Sequence, residues 1–212
     1  MADKYKSFNE LAQHEIEGQD FEIAYREAGS MFVVIAMHGG SIEVGTSEIA
    51  DAIAGENFSF YTFRGIKERG NADLHITSTY FDEPRVISLL RRTKFAITVH
   101  GRNKKDQIVY VGGLHLQLKK QIITALESAG FSATHQDYPA FKGLNAENIC
   151  NLGQSKTGVQ LEISRGLRET FFKSSVDKDE GGCTKNFNKF IGAVRSVLLM
   201  WQQESDNGTI KI

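Results

Sequence analysis

Hydrophobic and polar positions along the chain fall into short blocks of two kinds. Residues 32–37 (Phe-Val-Val-Ile-Ala-Met) form a continuous apolar run rich in β-branched side chains and predict a buried strand. Residues 46–54 predict a short helix, opened by Thr46-Ser47-Glu48, where hydroxyls can cap and a carboxylate suits the helix dipole. Residues 58–63 alternate (Phe-Ser-Phe-Tyr-Thr-Phe) and predict a strand, as do residues 74–79 (Leu-His-Ile-Thr-Ser-Thr). Pro84 suits a first helical turn, so 84–92 predict a helix. Strands are predicted over 95–99 and 107–111, and a helix over 114–129 that ends at Gly130. Another strand covers 158–163. A last helix covers 186–203, with Phe187, Phe190, Ile191, Val194, Val197 and Leu198 at core spacing.

Strands alternating with helices imply an α/β fold: one domain over 1–212, with a mixed, mostly parallel sheet flanked by helices. No repeat or linker divides the chain. Two stretches without periodicity, 138–157 and 174–183, are expected to be loops, and a loop as long as the first is often functional.

Composition narrows the class. Lys and Arg number 25 against 26 Asp and Glu, a net charge of -1, which argues against a strongly basic nucleic-acid binder. No apolar run approaches the ~20 residues that span a membrane. The start, Met1-Ala2-Asp3-Lys4-Tyr5-Lys6, has no apolar h-region, so the expectation is synthesis in the cytoplasm without a secretory signal. Cys150 and Cys183 are far apart and in no C-x-x-C spacing, which excludes a disulfide scaffold or a Cys-rich zinc site and leaves their pairing open.

Candidate chemistry gathers at predicted strand ends. His38 follows the run 32–37, His100 follows 95–99, and each is followed by glycine. In open α/β sheets ligands bind outside the carboxyl ends of strands, so both imidazoles are delivered to one edge. Glu43 returns a carboxylate five positions after His38, across Gly39-Gly40-Ser41-Ile42. Two His and one Glu suit catalytic zinc, which keeps a further position for water. The plainer reading of Glu43 is an acid placed at the positive end of the next helix. Glu48 is a competing carboxylate within that helix. Glu162, inside Val159-Gln-Leu-Glu-Ile163, is a carboxylate in a buried strand, which is costly unless paired or functional. It is either a partner of Arg165 or Arg168, or the general base that zinc chemistry needs. His75 reads as a hydrogen-bonded core or cleft-wall residue rather than a ligand. His115 begins a helix, and His14 and His135 have no supporting pattern.

The run His38-Gly-Gly-Ser-Ile-Glu43-Val-Gly-Thr-Ser-Glu48 resembles that of the bacteriophage-type poly-γ-glutamate hydrolases of phages and bacilli. So do Leu74-His-Ile-Thr-Ser-Thr-Tyr-Phe-Asp-Glu-Pro84, Val99-His-Gly101, Tyr110-Val-Gly-Gly113, Asn148-Ile-Cys-Asn151 and Val159-Gln-Leu-Glu-Ile-Ser-Arg-Gly-Leu-Arg168. The resemblance spans about residues 20–200, with the motifs in family order. It implies a zinc-carboxypeptidase-like fold, one zinc held by His38, Glu43 and His100, and Glu162 as the catalytic glutamate. Zinc carboxypeptidases space their first pair His-x-x-Glu, whereas here four residues intervene.

The implied substrate is the anionic polymer poly-γ-glutamate, cut within the chain at γ-glutamyl amide bonds, with capsule degradation as the role and a monomer as the working form. Such an enzyme would act outside the cell after release. A cation beside the metal would stabilise the oxyanion, and Arg165 and Arg168 are nearest to Glu162 in sequence. Arg102, Arg64, Lys67, Lys104, Lys105 and Lys156 could ring a locally positive cleft, and Asn148 and Asn151 could hold carboxylates or turn the chain. Two rivals remain. One is a carboxypeptidase or N-acyl-amino-acid amidohydrolase acting on a small substrate. The other is a polyanion-binding protein with a structural zinc, which a fourth protein ligand such as His75 would favour.

Overall fold

The computed structural model describes residues 3–135, 142–173 and 182–208. The parts of the expected loops at 138–141 and 174–181 lie outside the described residues. A segment with a short helix α1 (Phe8–Leu11) leads into strand β1 (Phe21–Arg26). Then come β2 (Phe32–Gly40), α2 (Thr46–Ala54), β3 (Ser59–Gly65), α3 (Pro84–Arg92), β4 (Phe95–Arg102) and β5 (Ile108–Gly112). The remainder is α4 (Leu116–Ser128), β6 (Ser132–His135), β7 (Val159–Ser164), α5 (Arg165–Glu169) and α6 (Lys185–Asp206). Among the described residues, no helix is long and apolar enough to cross a membrane.

The seven strands form one sheet in the order β1-β3-β2-β4-β7-β5-β6. β2 pairs in parallel with β3 and β4, β4 with β7, and β5 with β6, while β1–β3 and β5–β7 are antiparallel. The expected mixed, mostly parallel α/β sheet is what the chain forms. From β2 the chain goes to β3 on one side and returns to β4 on the other, so the topological switch lies between β2 and β4.

Two cores cover the two faces. Phe32, Val34, Ile97, Val99, Leu161 and Ile163 pack with residues of α2, α4 and α6. The six positions expected on the core side of α6 are all buried there, each worth roughly 1.5–3 kcal/mol relative to exposure. Val33, Ile35, Met37, Tyr61 and Phe63 pack on the opposite face with α3 and the N-terminal segment.

Residues 74–79 correct the strand expectation. A 3-10 turn covers Asn71–Leu74, and the segment beyond it joins no sheet. Leu74 and Ile76 are buried, which produces the alternation. The backbone partners, however, come from elsewhere: His38 donates to the Ile76 carbonyl, Asp3 accepts from Thr77 N–H, and Ile149 N–H donates to Ser78. Both cysteines are free thiols, Cys150 buried and Cys183 exposed.

Candidate metal centre

The site is built at the switch point. β4 and β7 run in register with His100 opposite Glu162, so the two side chains stand together beyond the apolar part of the sheet. β2 needs a different device. Simple alternation from Val34 and Ala36 would send His38 toward the face covered by α2, α4 and α6. The β2–β3 register instead shifts between Ala36 and Gly39, with one extra residue on β2. A bulge of this kind re-aims the side chain that follows it, and His38 comes to lie 5.1 Å from His100 between ring centroids, at 64°.

Gly39 and Gly40 make the turn. A Cβ on Gly39 would lie 1.9 Å from Ser47 Oγ and 2.6 Å from Thr62 Oγ1, and Gly40 has a φ of 62°. The Glu43 N–H then donates to the His38 carbonyl at 2.9 Å, folding the carboxylate back beside the ring that begins the loop.

His38 Nε2 lies 2.8 Å from the Ile76 carbonyl, so Nε2 carries the hydrogen and donates. Nδ1 is buried without a hydrogen-bond partner and stands 3.5 Å from Glu43 Oε1. Glu43 Oε2 accepts from Gly101 N–H at 2.7 Å and lies 4.0 Å from His100 Nδ1. The other ring nitrogen of His100, Nε2, is also buried without a partner. His75 stacks on His38 with centroids 4.0 Å apart and planes 26° from parallel, and donor atoms of His38, Glu43 and His75 lie within 4.8 Å of one another. A buried imidazole nitrogen of His38 that has no hydrogen-bond partner and faces the Glu43 carboxylate, with the His100 ring beside both, fits a divalent cation.

Charge states follow from burial and neighbours. Burial raises the carboxyl of Glu43, but His38, His100 and the Gly101 N–H outweigh it and hold it at about 2. Burial works against a proton on His38, and Glu43 reverses the direction. His100 is pushed down to about 3, first by burial. Glu162 is pushed up to about 8, first by burial and then by the charge of Glu43. Gln160 donates to Glu162 Oε1 at 2.9 Å, which fixes the carboxyl and leaves its second oxygen to the cleft.

Two arms of a cleft meet at these residues and share Glu43, His75, Gly101 and Asn103. One arm, about 920 Å³, has apolar walls from Ile42, Val44 and Phe172. The other, about 610 Å³, is polar, with Thr77, Thr79, Arg102, Asn145, Asn148 and Glu162.

The basic candidates have distinct places. Arg102 lines the polar arm with its guanidinium 4.7 Å from the Tyr110 ring centroid. Arg168 is buried, donates to the Val44 and Ile163 carbonyls, and lies against Gly101, so it braces the loop carrying Glu43. Arg165 lies on the rim of the apolar arm, paired with Glu169 at 2.6 Å. Arg64 lines neither arm and stands 3.7 Å from Glu22. Asn148 lines the polar arm, but its oxygen caps a 3-10 turn and its amide donates to Gln160. Asn151 is fully buried and bonds only loop backbone. His115 caps α4 and packs on Phe95 and Trp201, away from the cleft. Asp3 and Gln160 also reach the site and are not among the residues expected from the sequence. Gln160 was findable, two positions from Glu162 on the same strand face. Asp3 had no local signal.

The poly-gamma-glutamate hydrolase family model matches residues 5–193. The UPF0714 protein YmaC of Bacillus subtilis (strain 168) is 39% identical over 200 residues, 92% of this chain and 84% of its own. YndL, a UPF0714 protein of the same strain, is 38% identical over 172 residues, 80% of this chain and 67% of its own. The solved structure of a bacteriophage poly-gamma-glutamate hydrolase has a TM-score of 0.89 at 30% identity, covering 94% of this chain and 98% of that one. A zinc-free apo structure of YndL has a TM-score of 0.86 at 35% identity, covering 93% and 98%. N-formylglutamate amidohydrolase from Ralstonia eutropha JMP134, 10% identical with a TM-score of 0.53, shares the fold alone. The chain belongs to the poly-gamma-glutamate hydrolase family and is a hydrolase.

Proposed function

We propose that this protein is a zinc-dependent hydrolase that cuts γ-glutamyl amide bonds within poly-γ-glutamate. The observation that carries the reading is the meeting of His38, Glu43, His100 and Glu162 where the two cleft arms join. A polymer can enter by one arm and leave by the other, which suits internal cutting; a pocket closed at one end would suit a small amino-acid substrate.

His38, Glu43 and His100 are the proposed zinc ligands. With zinc–nitrogen bonds of about 2.0–2.1 Å, two imidazole centroids at the tetrahedral angle stand about 5.2 Å apart. The His38–His100 separation of 5.1 Å supports that pair. The 4.0 Å stack of His75 on His38 is too tight and too nearly parallel for both to aim at one ion. Three protein ligands leave an open position, as catalytic zinc requires and structural zinc does not.

When bound, zinc would supply Lewis acidity that polarises a carbonyl and acidifies water. Glu162 takes a proton at its free oxygen and returns it to the leaving amine, with its other oxygen held by Gln160. Burial raises the proton affinity of Glu162 above that of an ordinary carboxylate, which suits it to hold the proton between the two steps, and the charge of a zinc ion on the neighbouring ligands would favour the carboxylate with which the reaction starts. Arg168 holds the Glu43 loop in place, and Arg102 offers a guanidinium to a substrate carboxylate in the polar arm.

The test is the chain-length distribution of poly-γ-glutamate incubated with zinc-loaded protein, beside a chelated control. The expected result is a rapid fall in mean length with few free monomers at first. An unchanged polymer would overturn the substrate assignment. Early release of monomer without shortening of the bulk would make the enzyme exo-acting.

A further inference from the structure

Asp3 belongs to the segment ahead of α1, yet its side chain reaches the cleft. Its Oδ1 lies 2.7 Å from His75 Nδ1, and its Oδ2 accepts from the backbone N–H and the hydroxyl of Thr77, both at 2.6 Å. The segment is held independently of these bonds. Tyr5 is 3% exposed and donates to Glu15 at 2.6 Å, and Leu11 is fully buried. His75 lies face to face on His38 and lines both cleft arms.

A carboxylate only accepts, so His75 Nδ1 carries the hydrogen, and in the neutral ring Nε2 presents a lone pair. Among the described residues no donor takes that lone pair. The ring is thus fixed in tautomer by Asp3 and in plane by His38, at the point where the two arms meet. Every unit of an amide polymer crossing that point brings one N–H group.

We propose that Asp3 and His75 act as a pair in which Asp3, a positioning residue, presents Nε2 of His75 as the acceptor for an amide N–H of the bound polymer. The pair sets the polymer's register against the ligands and Glu162. It rests on the reading of this cleft as an amide-polymer site.

Wild type, Asp3→Ala, His75→Ala and the double variant are compared for zinc dissociation constant and for kcat and KM on poly-γ-glutamate. All four are expected to keep zinc affinity within about threefold. Asp3→Ala should lower kcat/KM about tenfold and His75→Ala somewhat more, and the double variant should match His75→Ala, because the effect of Asp3 passes through the ring. Asp3→Asn, which still offers an acceptor, should restore most of the loss. Tyr5→Phe loosens the same segment away from the cleft and should leave kcat/KM unchanged. Additive losses, a Tyr5→Phe variant as impaired as Asp3→Ala, or loss of zinc in His75→Ala would each overturn the proposal.

A readout without turnover separates the pair from the substrate. In ¹⁵N-histidine-labelled protein, His75 should show the Nδ1–H tautomer in wild type and a mixture in Asp3→Ala. An unchanged signature would overturn the pair. If wild type leaves the polymer intact, the substrate role of Nε2 falls with the proposed function, and the pair is judged by the tautomer alone.

Discussion

Replacing Glu162 with Gln tests the electrostatics of the site through stability rather than turnover. Glu162 is 5% exposed, and its pKa rises from an ordinary 4.5 to about 8 because burial and the Glu43 charge disfavour the carboxylate. The folded protein therefore holds a proton there that the unfolded chain releases. Stability from this group is full below about 4.5 and is lost as the pH rises toward 8. At about 1.4 kcal/mol for each pH unit, the loss across that window is on the order of 5 kcal/mol. Gln has the same shape, stays neutral, and still accepts from Gln160. His100, pushed down to about 3, stays neutral throughout the window in both proteins. Urea unfolding of chelator-treated wild type and Glu162→Gln should agree closely at pH 5. At pH 8.5 the variant should be more stable by a few kcal/mol, while being inactive and still able to bind zinc. A stability difference independent of pH would refute the assignment of Glu162 as a carboxyl kept protonated by its surroundings.

Three further outcomes are expected. His38→Ala or His100→Ala should weaken zinc binding at least a hundredfold in a chelator competition and remove turnover with it; a zinc-free double variant that still cuts polymer would end the metal assignment. Gly39→Ala should cost roughly 1–3 kcal/mol in chemical denaturation through its collision with Ser47 and Thr62, and should weaken zinc binding by shifting His38. Unchanged stability and affinity would show that the turn does not depend on that space. Polymer affinity should fall as salt rises from 50 to 500 mM, by less than a uniformly basic cleft would show, because Lys4, Arg165 and Arg168 share their arm with Asp3, Asp73 and Glu169. Affinity independent of salt would remove the contribution of Arg102 and its neighbours.

What was legible in the sequence depended on whether neighbours in space were also neighbours in pattern. β2 and β4 were readable because strands buried on both faces are nearly unbroken apolar runs, and the histidine ending each run stands at the sheet edge; β7 was readable because Val159, Leu161 and Ile163 alternate with Gln160 and Glu162. β1 was not read because its outer positions carry Glu22, Tyr25 and Arg26, and among the described residues it lies at the sheet edge beside β3, so the apolar signal is diluted. β6 has four residues, too few for a period. Residues 74–79 show that burial on one side yields alternation without a sheet, since bonds to His38, Asp3 and Ile149 can replace a ladder.

The spacing between His38 and Glu43 shows how the fold accommodates a departure that residue counting made doubtful. Four intervening residues would carry the carboxylate away from the ring if the loop ran out along the strand. It does not, because the bulge ends β2 pairing one residue late and Gly40 turns the chain at once with a left-handed φ. The Ser41 N–H donates to the Gly65 carbonyl at 2.9 Å, so the loop leans on the end of β3, and the Glu43 N–H closes it on the His38 carbonyl. Gly101 then fixes one carboxylate oxygen from β4 while the other faces His38 Nδ1. The extra residues are absorbed in a turn whose two ends are the proposed ligands. Side-chain positions are therefore set by backbone bonds from three strands rather than by the number of residues between them. The same reasoning explains why His75, far from either ligand in register and on no strand, still reaches the site: its segment is held across the strand ends by His38 itself.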